Sequence, residues 1–213
     1  MPEFSIIIPQ YGQSELTLTA VDSLLHTQTG SLEILVVDDG SPFSDIACLQ
    51  SQFRSHVSLI RQSRRQGVTA AWNLGARLAT GATLVFLNND TVSTGPWLET
   101  LAAPLAKETI LLTAPESRNE RQLSGPLRQV LKGWCMAIRK ETFARVGMFD
   151  ERFRLYFSDT DLQLRLRGLS AEALLRCPAL PLQHQGRCST QHLLSRRTEW
   201  RQDRDRFRQK WGL

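Results

Sequence analysis

The chain has no apolar run long enough to cross a bilayer, which argues against a membrane-spanning helix. Its early apolar stretch, residues 4–9, is short and lacks a basic flank, so a secretory leader is not expected and the cytoplasm is the expected location. It has no GxGxxG and no GxxxxGK(S/T), which disfavours a standard dinucleotide fold and Walker-type phosphoryl transfer. Its four cysteines, Cys48, Cys135, Cys177 and Cys188, show no CxxC pairing and no regular spacing. That speaks against a metal cluster or a disulfide scaffold and is compatible with a reducing compartment. Repeats and low-complexity linkers are also missing. So is a large excess of charge: 26 basic against 21 acidic residues leave +5, too mild to imply nucleic acid by itself. Much of that excess sits in residues 196–213, where seven Arg or Lys face three acids. Such a segment could rest on anionic lipid or be a solvated helix face.

At 213 residues, with 41% hydrophobic content, the chain can bury a full core as one domain. Its first half alternates. FSIIIP (4–9), EILVVDD (33–39), VSLIRQ (57–62) and ATLVFL (82–87) are strand-like, and amphipathic helices are expected over 14–27, 44–55 and 68–79. Near-continuous apolar strands between helices predict an α/β fold with a parallel sheet covered on both faces. The second half is less regular. A helix is expected over 95–107, a short apolar run at 110–114, a polar loop at 116–125 and a strand at 132–139. A helix that Asp159 could cap follows, then short strands near 172–176 and 180–184, and a last helix from about 193 to 211.

Three strands end in polar groups: Pro9-Gln10-Tyr11, Asp38-Asp39-Gly40-Ser41 and Asn88-Asn89-Asp90. A turn explains each cluster alone. In a parallel sheet, however, the three ends point the same way, where open α/β sheets bind ligands. Carboxylates on such a rim could hold a nucleoside and a hard divalent cation, magnesium or manganese, that neutralises a diphosphate. Asp159 and Asp161 form a further pair in SDTDLQLR. It reads either as a helix cap with a first-turn acid or as the seat of a general base. His184 is a structural histidine or a ligand.

The stretches FSIIIPQYGQSELTLTAVDSLLHTQ, EILVVDDGS, RRQGVTAAWNLGARLATGATLVFLNND, GWCMAIRKETFARVGMFDERFRLYFSDTDLQLRLR, LQHQG and RFRQKWG run in order through nearly the whole chain. Together they resemble the GT-A glycosyltransferases of family 2, which move sugars from nucleotide-diphosphate donors with inversion. The resemblance implies a GT-A fold in one domain over 1–213, with a mostly parallel central sheet flanked by helices. Within it, 1–92 would be the nucleotide-binding half, 93–190 the acceptor and catalytic half, and 191–213 a basic C-terminal helix. It implies a hexosyltransferase-type enzyme in cell-surface polysaccharide or glycoconjugate assembly, or else a catalytically silent nucleotide-binding module of the same fold.

Roles follow for the matching residues. Pro9, Tyr11, Asp38 and Asp39 would line the nucleoside pocket, and Arg65, Gly67 and Asn73 would help hold base, ribose or diphosphate. Asn89 and Asp90 would meet the donor, with Asp90 and His184 binding Mn2+ or Mg2+. Gly133 and Trp134 would border the sugar and acceptor, and Asp159 would be the general base. The implied partners are a UDP-, dTDP- or GDP-linked sugar and a glycan or lipid-linked acceptor, not nucleic acid, with peripheral contact to the inner face of a membrane through the basic helix. There are departures: Asn88-Asn89-Asp90 leaves one carboxylate where two or three are usual, Ser158 replaces the usual acid before Asp159, and Gly12 replaces the usual Asn. Lacking the membrane helices of processive synthases, the chain would add single sugars.

Overall fold

A computed structural model of the chain describes residues 2–53, 57–116, 127, 129–186 and 194–213. The polar loop expected at 116–125 lies almost entirely outside the described residues, as does Cys188; Cys48, Cys135 and Cys177 are free thiols.

Four parallel strands build one side of the sheet: β1 (Phe4–Gln10), β2 (Leu32–Asp38), β3 (Val57–Arg61) and β4 (Thr83–Leu87). The helices α1 (Ser14–Thr27), α2 (Phe43–Gln52) and α3 (Val68–Leu78) connect them. A short strand β5 (Thr91–Ser93) and helix α4 (Leu98–Ala102) with a 3-10 turn (Ala103–Ala106) lead into the second half. There β6 (Leu112–Pro115), β7 (Cys135–Arg139), α5 (Lys140–Arg145), α6 (Ser158–Arg167), β8 (Leu174–Cys177), β9 (Leu182–His184) and α7 (Arg196–Trp211) follow. The main sheet has the order β3-β2-β1-β4-β7-β6-β8, and β7 alone runs against the rest; β5 and β9 form a separate antiparallel pair.

The continuous apolar strands are explained by two cores, one on each face of the sheet. Ile7, Leu35, Val37, Leu84 and Phe86 point to one side, and Ile6, Ile8, Ile34, Val36, Val85 and Leu87 to the other. On the first side, Phe86 packs against Phe149 at 4.8 Å and Phe143 at 5.0 Å, while Trp72 of α3 stacks on Phe149 at 5.1 Å.

Several boundaries differ from the sequence reading. The helix expected over 95–107 shortens to α4 plus a 3-10 turn, because Pro104 has no N–H to continue the α ladder. The strand expected from 132 begins at Cys135, since Gly133 and Trp134 form a turn. Asp159 is not the cap of α6. Phe157 holds that position with a left-handed φ of 67°, so Asp159 falls inside the first turn.

Candidate functional site

Because β1, β2 and β4 are parallel, their polar ends share one rim. A cavity of about 440 Å³ opens there. Pro9, Tyr11, Asp39, Arg65, Asn89, Gly133, Trp134, Asp159 and His184 all line it, so one concavity gathers residues from seven strand and helix ends.

The two adjacent carboxylates of the second strand part company. Asp38 is fully buried and turned back on its own chain, accepting the backbone N–H of Gly40 at 3.2 Å and of Ser41 at 3.1 Å. It is not on the cavity wall. Asp39 faces the cavity and accepts the N–H of Gln66 at 2.6 Å and of Gly67 at 2.8 Å, anchoring the loop before α3. Burial pushes its carboxyl up, against the pull of those two donors and of Arg65 and Arg154. Gly67 is likewise off the wall. Its φ is 108°, and a side chain there would strike the Arg154 carbonyl, so this turn requires glycine. Asn73 is also elsewhere. Buried in α3, it donates to the Phe149 carbonyl at 2.9 Å and accepts from the Phe149 N–H at 3.1 Å, tying α3 to the second half.

Arg65 packs its guanidinium 5.1 Å from the centre of the Tyr11 ring. It also donates in a fork to Glu199 of α7, at 2.8 and 3.0 Å. Burial opposes both charges, but their mutual attraction outweighs it: the Arg65 pKa is raised and the Glu199 pKa lowered.

Asn88, Asn89 and Asp90 take three different paths. Asn89 donates to the Thr17 hydroxyl at 3.0 Å, and Asn88 lies 3.5 Å from the His184 ring nitrogen. Asp90 is buried below the wall, with Oδ1 3.2 Å from His184 Nε2. The β5–β9 pairing fixes this approach by setting Thr91 opposite His184, and the Gln185 N–H bonds to the Asp90 carbonyl at 2.9 Å. The His184 ring lies flat on Trp134, 4.9 Å centre to centre. Among the described residues no group of three His, Cys, Asp or Glu side chains converges to hold a metal. A carboxylate oxygen and an imidazole nitrogen this close, as in Asp90 and His184, are donors that a magnesium or manganese ion could take beside phosphate and water oxygens. The donor set therefore fits a cation that arrives with a diphosphate.

Asp159 sits half-buried on the opposite element, α6. Burial pushes its carboxyl up, partly countered by the Thr160 and Asp159 backbone N–H groups and by Lys132. Gly133 explains itself here: a Cβ would collide with the Asp159 carboxylate. A carboxylate in a cleft with its pKa raised is a stronger proton acceptor than an ordinary aspartate.

Two residues of α7 carry weight that sequence reading missed, Glu199 and Asp203. Asp203 is fully buried and accepts three successive backbone N–H groups, from Arg154 at 3.2 Å, Leu155 at 2.9 Å and Tyr156 at 3.0 Å. Leu155, Tyr156 and Phe157 line the cavity immediately before Asp159. Phe207 stacks at 5.1 Å on the ring of Phe157, the residue with the left-handed φ. The spacing 199, 203, 207 marks one helix face, but nothing in sequence says that its two acids point inward.

A family model described as "Glycosyl transferase family 2" matches residues 5–174. The chain is 28% identical over 204 residues to the O-antigen biosynthesis protein RfbC of Myxococcus xanthus, covering 78% of this chain and 16% of that protein. It is 32% identical over 151 residues to the inactive polypeptide N-acetylgalactosaminyltransferase-like protein 5 of Mus musculus, covering 65% and 35%. It thus spans well under half the length of these relatives. Among solved structures it resembles the mannosyltransferase PcManGT of Pyrobaculum calidifontis in complex with GDP-Man and Mn2+, with a TM-score of 0.65 at 20% identity over 83% of this chain and 56% of that one. GalNAc-T7 with UDP, GalNAc and Mn2+ gives a TM-score of 0.65 at 18% identity over 86% and 44%. The shared architecture is the GT-A fold.

Proposed function

The chain belongs to glycosyl transferase family 2, and on that premise we propose that it moves a sugar from a nucleotide-diphosphate donor to an acceptor hydroxyl with inversion. The observation that carries the proposal is the meeting, in one cavity, of the strand-end residues Tyr11, Asp39 and Asn89 with His184 and the half-buried Asp159. Tyr11 and Asp39 bind the nucleoside of a UDP-, dTDP- or GDP-linked sugar. Arg65 is held by Glu199 and lies against Tyr11, so it shapes that pocket more than it lends free charge.

Asp159 takes the proton of the acceptor hydroxyl. The acceptor oxygen bonds to the anomeric carbon as the bond from that carbon to the diphosphate oxygen breaks, and the electron pair leaves with the nucleoside diphosphate. Gly133 leaves room for the carboxylate to meet the acceptor. Asp90 and His184 are the residues that would hold a Mn2+ or Mg2+, whose contribution when bound is to offset the charge of the diphosphate. The fitting acceptors are a glycan or a lipid-linked sugar in cell-surface polysaccharide or glycoconjugate assembly.

Similarity to a mouse protein named as inactive favours one second reading, a silent nucleotide-binding module. Calorimetric titration with UDP, dTDP and GDP, with and without Mn2+, tests both readings: absence of binding to all three removes both. Turnover of a panel of nucleotide sugars then separates them, since the silent module binds without releasing nucleotide diphosphate.

A further inference from the structure

The helix α7 divides its charges by face. Glu199, Asp203 and Phe207 are buried, so two of its three acids are engaged inward, on Arg65 and on the 154–156 backbone. Arg197, Arg201, Arg204 and Arg208 recur at i, i+4, i+7 and i+11, forming a single outer stripe about 16 Å long. Arg204 pairs with Asp205 at 2.7 Å, the one acid left outside. Among the described residues no ion pair forms to Arg197, Arg201 or Arg208, all of them exposed. The stripe therefore sets four arginines against one outward acid, Asp205.

Apolar groups stand beside this stripe. Trp200 is 42% exposed, with the Arg204 guanidinium 5.1 Å from its ring centre, and Leu194, just before the helix, is fully exposed. The inner edge of Trp200 meets Phe157 at 6.3 Å, and Phe157 lines the cavity. Arginines with an indole and a leucine on a convex helix match the headgroup layer of an anionic bilayer, which accepts both kinds of group. A nucleic acid would take the arginines but offers no apolar phase to Leu194.

We propose that this face of α7 docks the protein on an anionic phospholipid surface, with Trp200 and Leu194 in the headgroup region and the cavity beside it. This surface does not depend on the transferase reading, because no residue of the stripe belongs to the cavity. The test is sedimentation of the full chain with vesicles of phosphatidylcholine alone or of phosphatidylcholine mixed with phosphatidylglycerol, over a series of salt concentrations. Binding is expected to the mixed vesicles only and to fall as salt screens the phosphates. With about a 5-fold contribution per arginine, the combined Arg197→Gln, Arg201→Gln, Arg208→Gln variant should bind about 100-fold more weakly. The same positions changed to Lys should retain binding, which separates lost charge from a damaged fold. Equal binding to neutral vesicles, no binding at low salt, a Gln variant that binds like the parent, a Lys variant that does not bind, or tighter binding to an oligonucleotide than to the mixed vesicles would each overturn the proposal.

Discussion

Replacing Asp203 with asparagine changes shape very little and removes most of what the residue does. The carboxylate accepts N–H groups from Arg154, Leu155 and Tyr156 at 3.2, 2.9 and 3.0 Å, and takes an ion pair from Arg206 at 3.0 Å. An amide offers one acceptor oxygen and turns a donor NH2 toward groups that are themselves donors. At least one of the three backbone bonds is lost and the others lose their charge assistance. A hydrogen bond to a charged group contributes about 1.5–3 kcal/mol, so the loss should come to about 2–4 kcal/mol. Arg206 is 43% exposed and adds less than about 1 kcal/mol. In a chain of this size each kcal/mol moves Tm by about 2–4 °C, so Asp203→Asn should melt about 4–16 °C lower. Circular dichroism melts measure the shift, and hydrogen exchange should show lost protection at the amides of residues 154–156. A melting point within about 2 °C of the parent, with those amides still protected, would refute the role given to Asp203.

Other outcomes follow from the same geometry. Gly133→Ala places a methyl group against the Asp159 carboxylate and should cost about 1–3 kcal/mol in thermal melts while cutting donor turnover; unchanged values of both would show that the contact yields freely. Burial raises the Asp159 pKa in the folded chain above its unfolded value, so proton uptake by this carboxylate favours folding in acid, and that contribution is lost as pH rises through the folded value. Asp159→Asn should therefore melt higher than the parent at neutral pH and lose that advantage in acid, and the acid limb of parental turnover should lie above the ordinary Asp range of about 4. Asp90→Asn should reduce the gain in nucleotide-diphosphate affinity that Mn2+ gives, and leave metal-free affinity alone; an unchanged gain in calorimetry would remove Asp90 from the cation site.

The sheet of the first half was legible because strands buried on both faces carry apolar side chains at every position. Ile6, Ile7 and Ile8 fill opposite cores in turn. The rim was legible because parallel strands bring their ends together, and Tyr11, Asp39 and Asn89 do meet at one cavity. Sequence could not separate Asp38 from Asp39. Both end the same strand, and only the turn at Gly40 sends one carboxylate into its own backbone and the other toward the cavity. Asn73 reads as polar and available, yet its partner Phe149 lies 76 residues away. Asp203 and Glu199 were hidden for the same reason: among arginines they look like the acids of a solvated helix, and their work depends on loops at 65 and 154–156 that only the folded chain brings near. The strand β5 was missed because three residues carry no periodicity, and its pairing with β9 is what delivers His184 to Asp90.

The central claim is that this cavity transfers sugar with Asp159 as its base. The most direct measurement is nucleotide-diphosphate release from a panel of UDP-, dTDP- and GDP-sugars with Mn2+ and candidate acceptors, by the parent and by Asp159→Asn. The account expects a donor that the parent turns over and that the variant turns over about 10²–10⁴-fold more slowly, with nucleotide-diphosphate affinity unchanged. Equal turnover by the two proteins would contradict it.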